Sequence, residues 1–175
     1  MEKRIIVVYK SVYGATRTYA EWIAQALDAR VAPVNDITSD NLSEYDVIVY
    51  GGGLYVGRIA GVKLVRQTTC KNLVIFTVGL ADPKNTDYGT IYSSLSPELR
   101  AKAKIFHLHG GIDYKRLNLV HKVMMAVNKR DILKKPASEH TDEDRRFIET
   151  YGCRVDFYDK TSIKPLVDYV QSLAI

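Results

Sequence analysis

Ile5-Ile6-Val7-Val8-Tyr9, then Lys10-Ser11-Val12-Tyr13-Gly14-Ala15-Thr16, then Tyr19 to Leu27 is the stretch from which the rest of the chain can be read. An apolar run of strand length is followed by a short polar loop. After the loop, Ala20, Ile23, Ala24 and Leu27 recur at helical spacing. The order strand, loop, helix sets the loop at a helix N-terminus. The first N–H groups there lack partners within the helix, and the dipole favours negative charge. Ser11, Val12, Tyr13, Gly14, Ala15 and Thr16 therefore form a candidate phosphate cradle, with hydroxyls at Ser11, Tyr13 and Thr16. No lysine follows the glycine as in a nucleoside triphosphate loop, and no G-x-G-x-x-G is present. A single terminal phosphate held by neutral donors fits this loop best, and a plain polar turn capping the helix is the alternative.

Working outward, apolar runs alternate with helical patterns, which predicts α/β architecture with a parallel sheet and helices on both faces. Strands are expected at residues 4–9, 29–34, 45–50, 72–77 and 103–109. Helices are expected from about residue 16 to 27, with Thr18 and Glu21 as a capping box, and at 60–67, 86–102, 116–130, 142–151 and 162–173. Pro33 places the second strand at an edge. Gly51-Gly52-Gly53 marks a sharp turn or a close approach after the third strand. Residues 116–130 read as an amphipathic helix whose outer face is basic. That helix could cover the sheet edge, form a lip over a ligand, or rest on anionic lipid.

The chain has 175 residues, net charge +5 and pI near 9.1, which suits one domain and anionic partners. No nucleic-acid-binding motif is visible. No apolar run approaches the ~20 residues that span a bilayer, and the opening strand is too short for a signal peptide. The expectation is a cytoplasmic protein, with residues 116–130 offering at most a weak peripheral contact to an anionic membrane. Cys70 and Cys153 form no C-x-x-C pair, so no metal site is expected and both read as reduced, partly buried thiols.

In a doubly wound sheet, ligands bind beyond the carboxyl ends of the strands. Two further loops lie at such ends. The first, Gly53, Leu54, Tyr55, Val56 and Gly57, ending at Arg58, offers an aromatic ring between glycines. The second, Thr77, Val78, Gly79, Leu80 and Ala81, offers backbone polar groups and apolar contact, as the edge of a flat ring requires. Arg58 and Lys115 are candidates to attract an acidic substrate. His109 sits near the expected ligand edge but reads as a structural histidine, and no catalytic acid or base stands out.

With these pieces together, the chain resembles the flavodoxin family, whose phosphate loop is matched by Ser11-Val12-Tyr13-Gly14-Ala15-Thr16. The resemblance covers nearly the whole chain. It implies a three-layer flavodoxin-like sandwich with strand order 2-1-3-4-5 and FMN as cofactor, with the two later loops gripping the isoalloxazine ring. The chain is similar above all to the branch of menaquinone-dependent protoporphyrinogen oxidases and their flavodoxin-domain relatives. The matching pieces are residues 9–16, 53–58 and 110–116. That branch carries a basic helical insertion after the fifth strand, here about residues 114–135 of a single domain. The resemblance implies an FMN-dependent oxidoreductase with a quinone or other redox carrier as partner. Its rivals are an FMN electron carrier without a substrate and a flavin-free interaction module. Carrier flavodoxins are acidic, and this chain is basic.

Overall fold

The computed structural model of the chain describes residues 3–55, 58–66, 68 and 71–174. The opening apolar run forms β1 (Ile5–Lys10), one residue later at each end than expected, and α1 (Ala15–Leu27) follows. Thr18 is not a cap. Its hydroxyl donates to the Gly14 carbonyl at 3.3 Å within the helix, and Glu21 pairs with Arg17 at 2.7 Å. β2 (Arg30–Pro33) pairs only with β1, so Pro33 does stand at an edge. Then come α2 (Ser39–Leu42), β3 (Val47–Tyr55), β4 (Arg58–Ile59) and α3 (Lys63–Arg66). α3 is shorter than the expected helix at 60–67, and residue 67 lies outside the described residues. After β5 (Asn72–Gly79), the expected helical stretch 86–102 is two short helices, α4 (Tyr88–Ser93) and α5 (Pro97–Lys102). Ser96-Pro97 divides them, because proline at the start of a helix cannot continue the one before it. β6 (Ala103–His109) has the expected bounds. β7 (Gly111–Asp113), α6 (Leu119–Leu133), α7 (Asp142–Thr150), β8 (Arg154–Asp156) and α8 (Lys164–Ser172) complete the chain.

The parallel strands run in the order β2-β1-β3-β5-β6. Counting parallel strands alone, this is the expected 2-1-3-4-5; the extra strand β4 pairs antiparallel with the end of β3. Alternation along each strand sends side chains to opposite faces. Ile6, Val8, Ile48 and Ile75 join one buried cluster with Ile91 and Leu99 of the α4–α5 region. Val7, Val49, Val74 and Phe76 join another with Tyr19 and Ile23 of α1 and Leu166 and Val170 of α8. Burial on both faces is why these strands read as continuous apolar runs. The Tyr19 hydroxyl, buried in the second cluster, donates to the His109 carbonyl at 2.7 Å and accepts from the Asp159 N–H at 3.1 Å. It thereby ties α1 to the end of β6 and to the turn before α8.

β3 departs most from expectation. It does not end at Tyr50 but continues through Gly51, Gly52 and Gly53 to Tyr55. The glycines mark close approach, not a turn. A Cβ at Gly51 would overlap the Phe76 ring, and one at Gly52 would lie 2.8 Å from the Ala60 carbonyl oxygen. Gly51→Ala is expected to cost about 1–3 kcal/mol, since Phe76 is fully buried and has no space to yield. Chemical denaturation would measure this, and adding Phe76→Leu should recover part of the loss; a neutral Gly51→Ala would refute the steric account.

α6 is the second departure. Its apolar face was expected to be covered, yet Leu119, Val120, Val123 and Val127 are exposed along with Lys122 and Arg130, while Leu117 just before the helix and Ile132 near its end are buried. Two of the polar residues, His121 and Lys129, are half-buried because they have partners on the inner side, while Lys122 and Arg130 stay exposed. His121 meets Tyr13 and Tyr55, and the Lys129 ammonium lies 4.1 Å from the ring centre of Tyr151, just after α7. The two-stranded ribbon of β7 and β8 was not expected at all. Cys153 is exposed, not partly buried, and Cys70 lies outside the described residues. No helix among the described residues is long and apolar enough to cross a membrane.

Candidate functional site

The carboxyl ends of β1, β3 and β5 open on one cavity of about 500 Å³, within the usual range for small-molecule sites, about 300–1,000 Å³. Of the first loop, Ser11, Tyr13, Ala15 and Thr16 line it. Gly14 is the N-cap of α1 at φ 102°, a left-handed conformation that only glycine adopts without strain. The Gly14 N–H donates to the Ser11 hydroxyl oxygen at 3.1 Å. No side chain caps α1 and no acidic residue stands in its first turn, so the protein leaves the positive end of the helix dipole uncompensated. Thr16 is only 3% exposed. Val12 points away and is 48% exposed.

The second loop contributes Gly53, Leu54 and Tyr55 to the cavity wall. These residues are not a loose loop but continue β3 and pair antiparallel with β4, Leu54 with Ile59 and Tyr55 with Arg58. Val56 and Gly57, also expected to grip the cofactor, lie outside the described residues. Burial pushes the Tyr55 phenol up to about 12, so it stays neutral. Arg58 is exposed on β4. Lys115 is also exposed, in a short turn after β7, and neither residue lines the cavity.

Of the third loop, Val78, Gly79 and Leu80 line the cavity, and Thr77 and Ala81 stand behind it. The Thr77 hydroxyl is fully buried and bonded to His107 Nδ1 at 2.7 Å. His107 Nε2 lies 3.1 Å from the Ala81 carbonyl. A carbonyl only accepts, so Nε2 carries the proton and Nδ1 accepts from Thr77. His109 Nε2 donates in the same way to the Leu80 carbonyl at 3.0 Å, and its ring stacks on Phe157. Burial lowers both imidazoles, His107 to about 4, so His107 is a neutral strut at pH 7. Two residues apart on β6, the histidines fix the carbonyls of the third loop. The Asp82 carboxyl closes that loop. It is held below the usual carboxylate range by the Lys84 N–H and by Arg146 at 3.1 Å.

The fourth wall comes from the helix at 116–130, for which a lip over a ligand is one of three sequence readings, with no residue assigned. α6 lies across the cavity and lends it His121, Met124, Met125, Asn128 and Asp131. The Tyr13 hydroxyl shares a hydrogen bond with His121 Nδ1 and accepts from the Asn118 N–H at 3.3 Å. The His121 ring stacks on Tyr55 at 5.1 Å between centres. One imidazole thus joins the first loop, the second loop and α6. The signal was present in the sequence as a lone histidine in the first turn of an amphipathic helix. Periodicity alone did not say which face turned inward.

A model of the flavodoxin domain matches residues 6–140. No curated protein matches the chain. Among solved structures, oxidised flavodoxin 1 from Bacillus cereus is 13% identical over 98% of this chain and 99% of its own, with a TM-score of 0.51. Oxidised flavodoxin 2 from the same species is 17% identical over 61% and 84%, TM-score 0.47. A flavoprotein in complex with FMN from Lactobacillus acidophilus is 14% identical over 62% and 93%, TM-score 0.44. Neither the family model nor these structures point to the protoporphyrinogen-oxidase branch. The domain match spans well over half of the chain, and the strand order is that of the fold: the chain belongs to the flavodoxin domain family.

Proposed function

We propose that the cavity holds one FMN and that the chain is an FMN-dependent oxidoreductase. The observation that carries this is the convergence of three strand-end loops on one cavity, with the uncapped N-terminus of α1 at its first loop. The donor set suits the group. Ser11, Thr16 and the N–H groups around Gly14 would hold the phosphate without a counter-charge. Leu54 and Tyr55 would lie against the isoalloxazine, and the Val78–Leu80 backbone would meet its polar edge. When bound, FMN supplies hydride or single-electron transfer. The chain's own share is to bind and orient. His107 and His109 stiffen the third loop, and Met124 and Met125 of α6 screen the cavity from water. His121 stands on the cavity wall with its ring fixed by Tyr13 and Tyr55.

The apolar wall favours an apolar electron donor or acceptor of the quinone class. The tract 110–116, which resembles the protoporphyrinogen-oxidase branch, makes a porphyrinogen the first donor to try. Titration of purified protein with FMN, followed by flavin fluorescence, should give uptake of one FMN per chain. Protein that neither carries FMN nor takes it up would overturn the proposal. Porphyrinogen oxidation with a quinone, at a rate above that of free FMN, would separate an oxidase from a carrier.

A further inference from the structure

We infer that the outward face of α6 docks on an anionic lipid bilayer surface. Among the described residues, eight large apolar side chains are exposed, and five of them, Leu119, Val120, Val123, Val127 and Leu133, lie on this one helix. Leu119, Val123 and Val127 stand four residues apart with Val120 beside them, so they form one stripe about 12 Å long. Leu119 is 78% and Val120 66% exposed. Isolated exposed apolar residues need no account, but a contiguous stripe does.

The charge around the stripe identifies the occupant. Residues 114–135 hold seven lysines and arginines against one carboxylate, Asp131. That excess is larger than the net charge of the whole chain, +5, so the basic character of the protein is local to this segment. Lys115 and Arg116 precede the stripe, Lys122 flanks it, and Arg130 and Lys134 continue it at the C-terminal end. An apolar face ringed by cations is the pattern of a helix lying in the headgroup layer of an anionic bilayer. A second copy of the chain fits poorly. A two-fold pair would set the same basic rims against each other, and one stripe falls well short of the ~800 Å² per partner of a stable interface.

Val123 and Val127 belong both to the stripe and to the cavity wall. Docking would therefore bring the cavity mouth to the lipid boundary, where apolar redox molecules are dissolved. The docking itself does not depend on FMN being bound.

Co-sedimentation of the whole chain with vesicles tests this. Binding is expected on phosphatidylcholine vesicles containing phosphatidylglycerol, and at least about tenfold weaker binding on phosphatidylcholine alone. Leu119→Glu with Val120→Glu should release the protein from anionic vesicles by about tenfold or more, with thermal stability unchanged because neither side chain is packed. Lys122→Glu with Arg130→Glu should abolish the preference for anionic lipid. Wild-type protein left in the supernatant with anionic vesicles, or equal binding by the Leu119/Val120 variant, would overturn the inference. So would sedimentation equilibrium showing a dimer that this variant converts to monomer, since the face would then belong to a second copy. FMN uptake measured on the same samples is a separate readout and fails independently.

Discussion

Replacing Ser11 and Thr16 together by alanine is expected to weaken FMN by about 3–6 kcal/mol, or two to four orders of magnitude in Kd. Each hydroxyl would hold a charged phosphate oxygen, and such bonds contribute about 1.5–3 kcal/mol apiece. Ser11 has a second task, because its oxygen accepts from the Gly14 N–H and so shapes the loop. Loss of that bond adds to the effect. Riboflavin, which lacks the phosphate, is the control, and its affinity should change little in the same variant. Equal losses for FMN and riboflavin would mean the loop had collapsed; unchanged FMN affinity would place the phosphate elsewhere.

His107→Leu is expected to destabilise the fold by about 2–5 kcal/mol, because it strands a fully buried Thr77 hydroxyl and removes the donor on the Ala81 carbonyl. The same residue gives the protein an acid limit. Burial holds His107 at about 4 when folded, below the ordinary value of 6.5. Between those values the unfolded chain binds the proton first, so stability rises with pH there. The contribution is complete above pH 6.5 and is lost as pH falls to about 4, in total about 3 kcal/mol. Urea denaturation near pH 7 and again at about pH 4.5 should show this slope in the wild type and a shallower one in the leucine variant. Parallel slopes would mean that His107 does not govern the acid limit.

What the sequence made legible follows from how far each signal reaches. β1 and β5 announce themselves because the middle of a strand buried on both faces must be apolar at successive positions. β3 hides its length, since glycines usually terminate strands. The reason for keeping them, the Phe76 ring, stands on the neighbouring strand and leaves no local trace. β7 and β8 are three residues each and distant in sequence, so neither has a pattern of its own. The strand-end loops were readable as a site because topology places them together once the order of strands is known. Thr77 and Ala81 were legible as members of the third loop but not as its rear supports, because their partner His107 comes from β6. For α6, two unlike faces were visible, but which one turned inward was decided by His121 meeting Tyr13 and Tyr55.

The β7–β8 ribbon has a broader consequence. Asp113 lies beside Arg154, so the chain departs from the main fold and returns at neighbouring points. Everything between hangs from that clasp like an attachment on a mount. It could be lengthened, shortened or exchanged without pulling on the five parallel strands. Such an arrangement lets evolution alter what the molecule meets, and the fourth wall of its cavity, while leaving the three strand-end loops on the parallel sheet.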